Sequence, residues 1–240
     1  MTRRAIPMFC VAASLAALAA APVPPRGEKE QIEKLWGKVV SPAKECEFRL
    51  NGKALVIRDA GQPSAHGLLA EKEIIPRTAR SVAGDFEMTV KVLEATPPNR
   101  EAKSIDSWPW SRAGLYMTGG GFTVEVHLSQ YYTILNRVMS ESLTRCVWVD
   151  SWSQRDGSGS QIANVAPGMS SYLKITRKGN DIAVSHSPDG EKWSAPFSPR
   201  QELHFPEEVT AGVFVSHGTY QIVEATFADF KIEQEKKKPR

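Results

Sequence analysis

The sequence has little cysteine and no long apolar run. Three of its 240 residues are cysteine, too few for a fold that disulfides hold together. The apolar run 5–18 is too short to span a bilayer as a helix, and no other segment is long and apolar enough. No repeat of solenoid or propeller period is evident. These absences exclude a disulfide scaffold, a membrane-spanning protein and a repeat array, and favour one globular domain.

The first residues have the pattern of an export signal. Arg3 and Arg4 precede the apolar run, and small residues at positions 17 and 19 suit a signal peptidase. We therefore expect a signal peptide over residues 1–19 and a secreted or periplasmic location. The rest of the chain is expected to form a linker with a short helix (20–35), a β-sandwich domain (36–233) and a basic tail (234–240).

The mature chain is expected to be close to neutral. The sequence has 30 basic and 27 acidic residues, and two of the basic ones lie in the signal peptide. Clustered positive charge is confined to the tail 234–240. A solvated tail is expected there, because phosphate binding needs a basic face with several contacts. The composition therefore argues against a nucleic-acid partner, and it leaves the oligomeric state open.

Two cysteines, Cys46 and Cys146, remain after the signal peptide is removed. In an oxidising compartment two cysteines can pair, so a disulfide between them is predicted. Both lie on apolar strands, and two separate buried thiols remain an open alternative.

Alternating apolar residues predict strands along most of the chain. Asn51-Gly52 joins two alternating segments and is typical of a two-residue type I′ hairpin turn. A second hairpin is predicted where the glycines 119–121 join the segment 113–117 to the segment 122–128. About ten such strands, separated by turn residues, predict an all-β sandwich or barrel.

Several short motifs follow one another in an informative order. They are Trp36-Gly37, Cys46-Glu47-Phe48, Ala113-Gly114-Leu115, the segment from Ser187 to Trp193, and Ala211-Gly212-Val213. Spread over roughly residues 36 to 232, they resemble concanavalin-A-like modules of the regulator-of-enolase type. The resemblance implies a two-sheet antiparallel jelly-roll sandwich, related to legume lectins, laminin-G-like modules and bacterial glucanases. It implies an architecture rather than an activity.

No catalytic or metal-binding pattern stands out. Glucanase relatives carry alternating carboxylates on one strand, because an acid and a nucleophile must flank one glycosidic bond. The strand 122–128 offers Glu125 but no second carboxylate two or four residues away. The five histidines lie on separate segments without metal-ligand spacing. We therefore expect no catalytic residue, no cofactor and no metal, although a carboxylate from another strand stays possible.

Aromatic and polar side chains concentrate around the central hairpin. The predicted ligand-binding residues are Trp110, Arg112, Tyr116, Glu125 and His127. Further aromatic or basic residues flank them: Trp108, Tyr131, Tyr132, Arg137, Trp148 and Trp152. Sugar recognition needs flat aromatic faces together with polar groups for hydroxyls, and this stretch has both. The alternative is that these aromatics only cover sheet ends and seal loops.

Three function classes follow from this pattern. The first is a secreted, non-catalytic binding module, with a glycan as its partner. The second is a divergent glycoside hydrolase or lyase. The third is an extracellular or envelope interaction protein without a small ligand. Strand alternation predicts that Tyr116, Glu125 and His127 lie side by side on the solvent-facing side of one sheet, and burial of all three under the segment 131–171 would favour the third class.

Overall fold

The structure is a computed structural model, and it describes residues 26–42, 45–60, 63, 75–105, 108–135, 138–153, 156–199 and 202–234. The predicted signal peptide, the last six residues of the predicted basic tail, and Arg137 lie outside the described residues. Within the described ranges, no helix is long and apolar enough to cross a membrane.

The described residues form one helix and thirteen strands. Helix α1 spans Arg26–Trp36. The strands are β1 (Lys38–Val40), β2 (Glu47–Asn51), β3 (Ala54–Asp59), β4 (Arg77–Ala83), β5 (Phe86–Ala95), β6 (Trp110–Gly119), β7 (Phe122–Leu135), β8 (Val138–Trp152), β9 (Gly157–Asn164), β10 (Ser171–Lys178), β11 (Asp181–Ser187), β12 (Glu208–His217) and β13 (Val223–Gln234).

The strands form two antiparallel sheets. The seven-stranded sheet has the order β1-β4-β12-β6-β7-β8-β9, and the six-stranded sheet has the order β11-β10-β5-β13-β3-β2. Alternate residues of both sheets are fully buried in one shared apolar core. On β7, for example, Val124, Val126 and Leu128 face this core, as the period-two pattern requires. The predicted two-sheet sandwich is confirmed.

The two hairpin turns differ in how well the sequence predicts them. Gly120 and Gly121 both adopt positive φ and join β6 to β7, as expected. In the first hairpin, Asn51 pairs with Ala54, so the loop residues are Gly52 and Lys53. Gly52 has a φ of 63° and Lys53 is not in the positive-φ region. A glycine at the first loop position is typical of a type II′ turn rather than the predicted type I′.

The segment 131–171, which is longer than a simple hairpin needs, widens the seven-stranded sheet. It supplies the end of β7 and all of β8 and β9. β7 and β8 are 14 and 15 residues long. This extension provides much of the surface on which the candidate site lies.

A row of four inward-facing polar residues closes one end of the core. His217, Ser111, Gln130 and Arg145 are register partners across β12, β6, β7 and β8. We call this the polar row. The first three face the six-stranded sheet: His217 Nε2 lies 3.3 Å from Asp59 Oδ2, Ser111 donates to Thr96 O, and Gln130 donates to Ala95 O.

The predicted disulfide is not formed. Cys46 precedes β2 of the six-stranded sheet, and its Sγ donates to Asp59 Oδ1 at 3.3 Å. Cys146 is a buried thiol on β8. Its register partner is Ser129, so it lies on the face of the seven-stranded sheet that is turned away from the core. The backbone of that sheet therefore separates the two sulfurs, and the open alternative of two thiols is the correct one.

Candidate functional site

A pocket of about 320 Å³ lies on the outer face of the seven-stranded sheet, which is the face turned away from the core. Strand alternation places its lining there, because core residues such as Ala113, Leu128 and Val147 alternate with it. The pocket is lined by Trp108, Trp110, Arg112, Ser129, Tyr131, Thr133 and Trp148. We call it the aromatic pocket.

Trp110 and Arg112 are held in the pocket wall by their neighbours. An added Cβ at Gly218 would lie 2.3 Å from Trp110 Nε1, so the indole needs a glycine at this position. The Arg112 guanidinium lies over the Trp110 ring, with Cζ 4.5 Å from the ring centroid. A cation on an aromatic face at this distance is a stabilising contact. The two side chains therefore present a fixed, partly cationic wall.

The carboxylate of Asp150 anchors the polar side of the pocket. Its Oδ1 accepts a hydrogen bond from Trp148 Nε1 at 2.8 Å. Its Oδ2 lies 3.1 Å from Arg112 Nη1 and 3.1 Å from His127 Nε2. Two pocket residues and one buried histidine thus converge on one carboxylate.

The electrostatics of this cluster favour a neutral histidine beside an ionised carboxylate. Burial lowers the pKa of His127, and the hydrogen bond to Asp150 only partly offsets this. For Asp150, burial raises the pKa, but the hydrogen bond with His127, the Arg112 charge and the Trp148 hydrogen bond together bring it below its usual value. His127 Nδ1 is buried and has no hydrogen-bond partner among the residues described. A neutral ring that donates from Nε2 leaves Nδ1 without a proton and fits these contacts.

Glu125 brings a second carboxylate to the same place. Glu125, His127 and Asp150 each have a potential metal-ligand atom, and these atoms lie within 4.8 Å of one another. However, both oxygens of Asp150 already accept hydrogen bonds. The Arg112 cation, 3.1 Å from Oδ2, would also repel a metal ion. We therefore assign no metal to this cluster.

Tyr116 belongs to a second, small core on the outer face rather than to a binding surface. Its ring packs with Ile75 and Phe214, and its hydroxyl donates to Thr78 O at 2.8 Å. Burial raises the pKa of Tyr116 to about 12. The side chain is completely buried, so it offers no surface for a ligand.

The prediction that Tyr116, Glu125 and His127 face solvent is wrong. The strand register is as predicted, since Tyr116 pairs with Glu125 and Gly114 pairs with His127. All three side chains are nevertheless buried. Alternation shows which residues share a face, but it does not show whether another part of the chain covers that face. Trp110 and Arg112 do line the pocket, and their role in ligand binding stays a prediction.

Sequence reasoning missed Asp150 and the glycines opposite it. An added Cβ at Gly159 would lie 2.5 Å from Asp150 Oδ1 and 2.6 Å from Trp148 Nε1. Gly157 lies in the same way against the ring of Trp152. Two glycines spaced by two on a strand, opposite a segment with two tryptophans, are a signal that could have located this contact.

Comparisons with known proteins identify the architecture. No protein-family model matches the chain, and no curated protein matches it in sequence. A functionally unknown protein from Saccharomyces cerevisiae superposes with a TM-score of 0.57 at 9% identity, over 79% of this chain and 92% of that one. The exolytic PL7 alginate lyase AlyA5 from Zobellia galactanivorans superposes with a TM-score of 0.50 at 7% identity, over 81% of this chain and 88% of that one. At such identities the likeness concerns the fold alone, and the fold is an all-β, two-sheet antiparallel jelly-roll sandwich of the concanavalin-A-like type.

Proposed function

We propose that this protein is a secreted, non-catalytic binding module whose aromatic pocket binds a glycan. The observation that carries the proposal is the composition of the pocket wall. It combines the partly exposed rings of Trp108, Tyr131 and Trp148 and the nearly buried ring of Trp110 with one guanidinium and three hydroxyl groups. Sugar rings pack their C–H faces on aromatic rings, while their hydroxyls need donors and acceptors at the edge.

Most side chains of the pocket wall are already held in place, so few of them need to be immobilised when a ligand binds. Arg112 and Trp148 are both fixed by Asp150, and Trp110 is fixed against Gly218. Trp108 is the exception, since 42% of it is exposed. A preorganised wall lowers the entropic cost of binding. Trp108 is the ring that a sugar would reach first.

Three further points support the proposal: one concerns the glycan ligand, one the family relation and one export. One protein that shares the fold, the alginate lyase from Zobellia galactanivorans, acts on a polysaccharide. The ordered motifs between residues 36 and 232 support a relation to regulator-of-enolase-type modules. The pattern of residues 1–19 supports secretion, with a mature domain from about residue 36 to residue 233.

A divergent glycoside hydrolase or lyase is the second candidate. The observation that favours it is the pair of carboxylates, Glu125 and Asp150, next to His127. Acid and nucleophile of a retaining glycosidase lie about 5 Å apart. Both carboxylates are nearly inaccessible, however, with 1% of Glu125 and 4% of Asp150 exposed. Because groups that cannot touch the substrate cannot act on it, binding is the better proposal.

A glycan array on the mature protein tests the proposal. We expect selective binding, and we expect Trp108→Ala to weaken it by about 1–3 kcal/mol, because stacked aromatic contact is lost. The matched control is Tyr220→Ala, which removes another ring that is about half exposed but lies outside the pocket.

The other outcomes separate the three function classes. Unchanged affinity in Trp108→Ala would place the site elsewhere. An array without binding would favour an interaction protein. Degradation of a bound glycan by the wild type, lost in His127→Gln, would favour the enzyme.

A further inference from the structure

A second cavity, of about 400 Å³, opens at the end of the sandwich where the polar row lies. Residues from both sheets and from the β9–β10 connection contribute to it. Much of its wall is apolar: Leu93, Ala95, Pro97, Leu143 and Pro167. Arg145, the fourth member of the polar row, also lines it. This cavity shares no lining residue with the aromatic pocket.

Arg145 differs from the other three members of the polar row. His217, Ser111 and Gln130 each face a polar group on or next to a strand of the six-stranded sheet. The hydrogen bond of the Arg145 side chain goes instead to Ala166 O, in the β9–β10 connection, at 3.1 Å. The six-stranded sheet therefore leaves the guanidinium without an acceptor among the described residues.

Arg145 is a largely buried residue, and it has no counter-ion among the residues described. Only 9% of the residue is exposed, and its Nε is buried without a hydrogen-bond partner in the described ranges. A guanidinium has five N–H donors in a planar fork. Burying such a charge is costly unless it is paired and hydrogen-bonded. Burial also lowers the pKa of Arg145.

We propose that the Arg145 guanidinium binds the carboxylate of a ligand whose apolar body fills this cavity. A carboxylate matches the planar fork with two parallel hydrogen bonds. The five apolar lining residues favour a hydrocarbon body over a sugar. Glu94 lines the same cavity and is exposed. Its negative charge opposes any anion, so a ligand with a single carboxylate, which the guanidinium neutralises, suits the site better than a ligand with two negative groups.

Benzoate is a simple probe for this site, with benzamide as its neutral counterpart and sulfate as a dianion without an apolar body. We expect benzoate to raise the melting temperature of the mature protein in a concentration-dependent way, and benzamide and sulfate to raise it much less. Titration calorimetry should give benzoate an affinity that Arg145→Gln weakens by about 10–100-fold, as expected for loss of a charge-assisted hydrogen bond. Glutamine keeps one N–H donor for Ala166 O.

Two variants keep the test independent of folding and of the glycan proposal. Arg145→Met removes the charge but keeps an apolar stem, so we expect a higher melting temperature without ligand and no response to benzoate. Trp108→Ala, in the aromatic pocket, should leave the response to benzoate intact even if it abolishes glycan binding.

The proposal would be overturned by any of three results. The wild type could show no response to benzoate, or an equal response to benzamide or sulfate. Arg145→Gln could retain full affinity. Benzoate binding could disappear in Trp108→Ala, which would place the ligand in the aromatic pocket. None of these results would count against the proposal that the aromatic pocket binds a glycan.

Discussion

Asp150 connects the pocket surface to the interior of the sheet. Its two oxygens contact Arg112 and Trp148, which line the aromatic pocket, and His127, which is completely buried. With 13% of the Arg112 side chain and 6% of the Asp150 side chain exposed, this ion pair is largely removed from water. Removal of one partner from a buried pair leaves an uncompensated charge, which costs more than loss of a surface pair.

We predict that Asp150→Asn lowers the free energy of unfolding by about 3–5 kcal/mol, the usual range for breaking a buried pair. Urea denaturation measures it. The control is Glu224→Gln, which breaks an ion pair with Arg49 in which both side chains are at least one-third exposed. This control should change stability by about 1 kcal/mol or less. Equal changes in the free energy of unfolding for the two substitutions would show that the Asp150–Arg112 pair stabilises the protein no more than a surface ion pair does.

The state of His127 predicts how stability depends on pH. Its pKa in the folded protein is lowered, chiefly by burial, so the unfolded chain binds a proton more readily. The contribution of His127 to the free energy of unfolding is therefore fully present above the unfolded pKa of about 6.5, and it is lost as the pH drops below that value. The slope from one such group is at most about 1.4 kcal/mol per pH unit.

We expect His127→Gln to flatten the decline in stability between pH 7 and pH 5, measured by urea denaturation at each pH. His204→Gln, at an exposed histidine, is the matched control and should leave the decline unchanged. A decline that persists in full in His127→Gln would show that another group causes it.

At the scale of elements, β9 shapes the site because two of its residues are glycines without a side chain. Gly159 pairs with Asp150, and Gly157 pairs with Trp152. The missing Cβ atoms leave room for the side chains of β8 to lie across the edge strand. The Trp148–Asp150 hydrogen bond therefore depends on the sequence of a neighbouring strand as well as on its own.

We predict that Gly159→Ala destabilises the protein by about 1–3 kcal/mol, because the new methyl group overlaps Asp150 and Trp148. It should also weaken glycan binding, since Trp148 lines the pocket. Thermal and urea denaturation measure the first effect. Gly27→Ala in α1 is the control: no atom lies within 4 Å of its added Cβ, and alanine in a helix stabilises by up to about 1 kcal/mol. Destabilisation by both alanines alike would contradict the steric argument.

The sequence predicts a strand and its pairing where the two paired segments are close together in the chain. The alternation over 122–128 and the glycines at 120 and 121 predict β7, its core face and its register with β6. The pairing of β7 with β8 brings Asp150 opposite Glu125, but the two residues are 25 positions apart and a register shift interrupts the ladder. Turn chemistry does not determine a register at that distance. The partner of His127 was therefore beyond sequence reasoning.

At the scale of the whole molecule, the sequence predicts the two-sheet sandwich. It does not predict which parts of the outer sheet faces are buried. Apolar alternation predicts two packed sheets because one face of each strand must be buried. The small core of Ile75, Tyr116 and Phe214 lies on the opposite face, where a two-sheet sandwich would be expected to meet solvent. Contacts that bury an outer face depend on long connections whose paths have no periodic signal.

The separation of the two sheets also predicts the redox state of the chain. Cys46 directly precedes a strand of one sheet, and Cys146 lies on the outer face of the other. We expect the mature protein, unfolded without reductant, to react as two thiols with a thiol reagent, and its intact mass to be unchanged by reduction. The variant Cys46→Ser should react as one thiol. A mass increase of two hydrogens on reduction would instead indicate a disulfide and would require the sheets to be arranged differently.

The distribution of tryptophan gives the molecule an intrinsic optical reporter. Of its six tryptophans, Trp108, Trp110 and Trp148 line the aromatic pocket. Their indoles differ in surroundings, since Trp108 is partly in water, Trp110 stacks with a guanidinium and Trp148 donates to a carboxylate. Removal of water from Trp108 by a ligand is expected to shift fluorescence emission to shorter wavelength. Occupancy of this pocket can therefore be followed on the unlabelled protein, whereas a ligand at Arg145 should leave the emission spectrum unchanged.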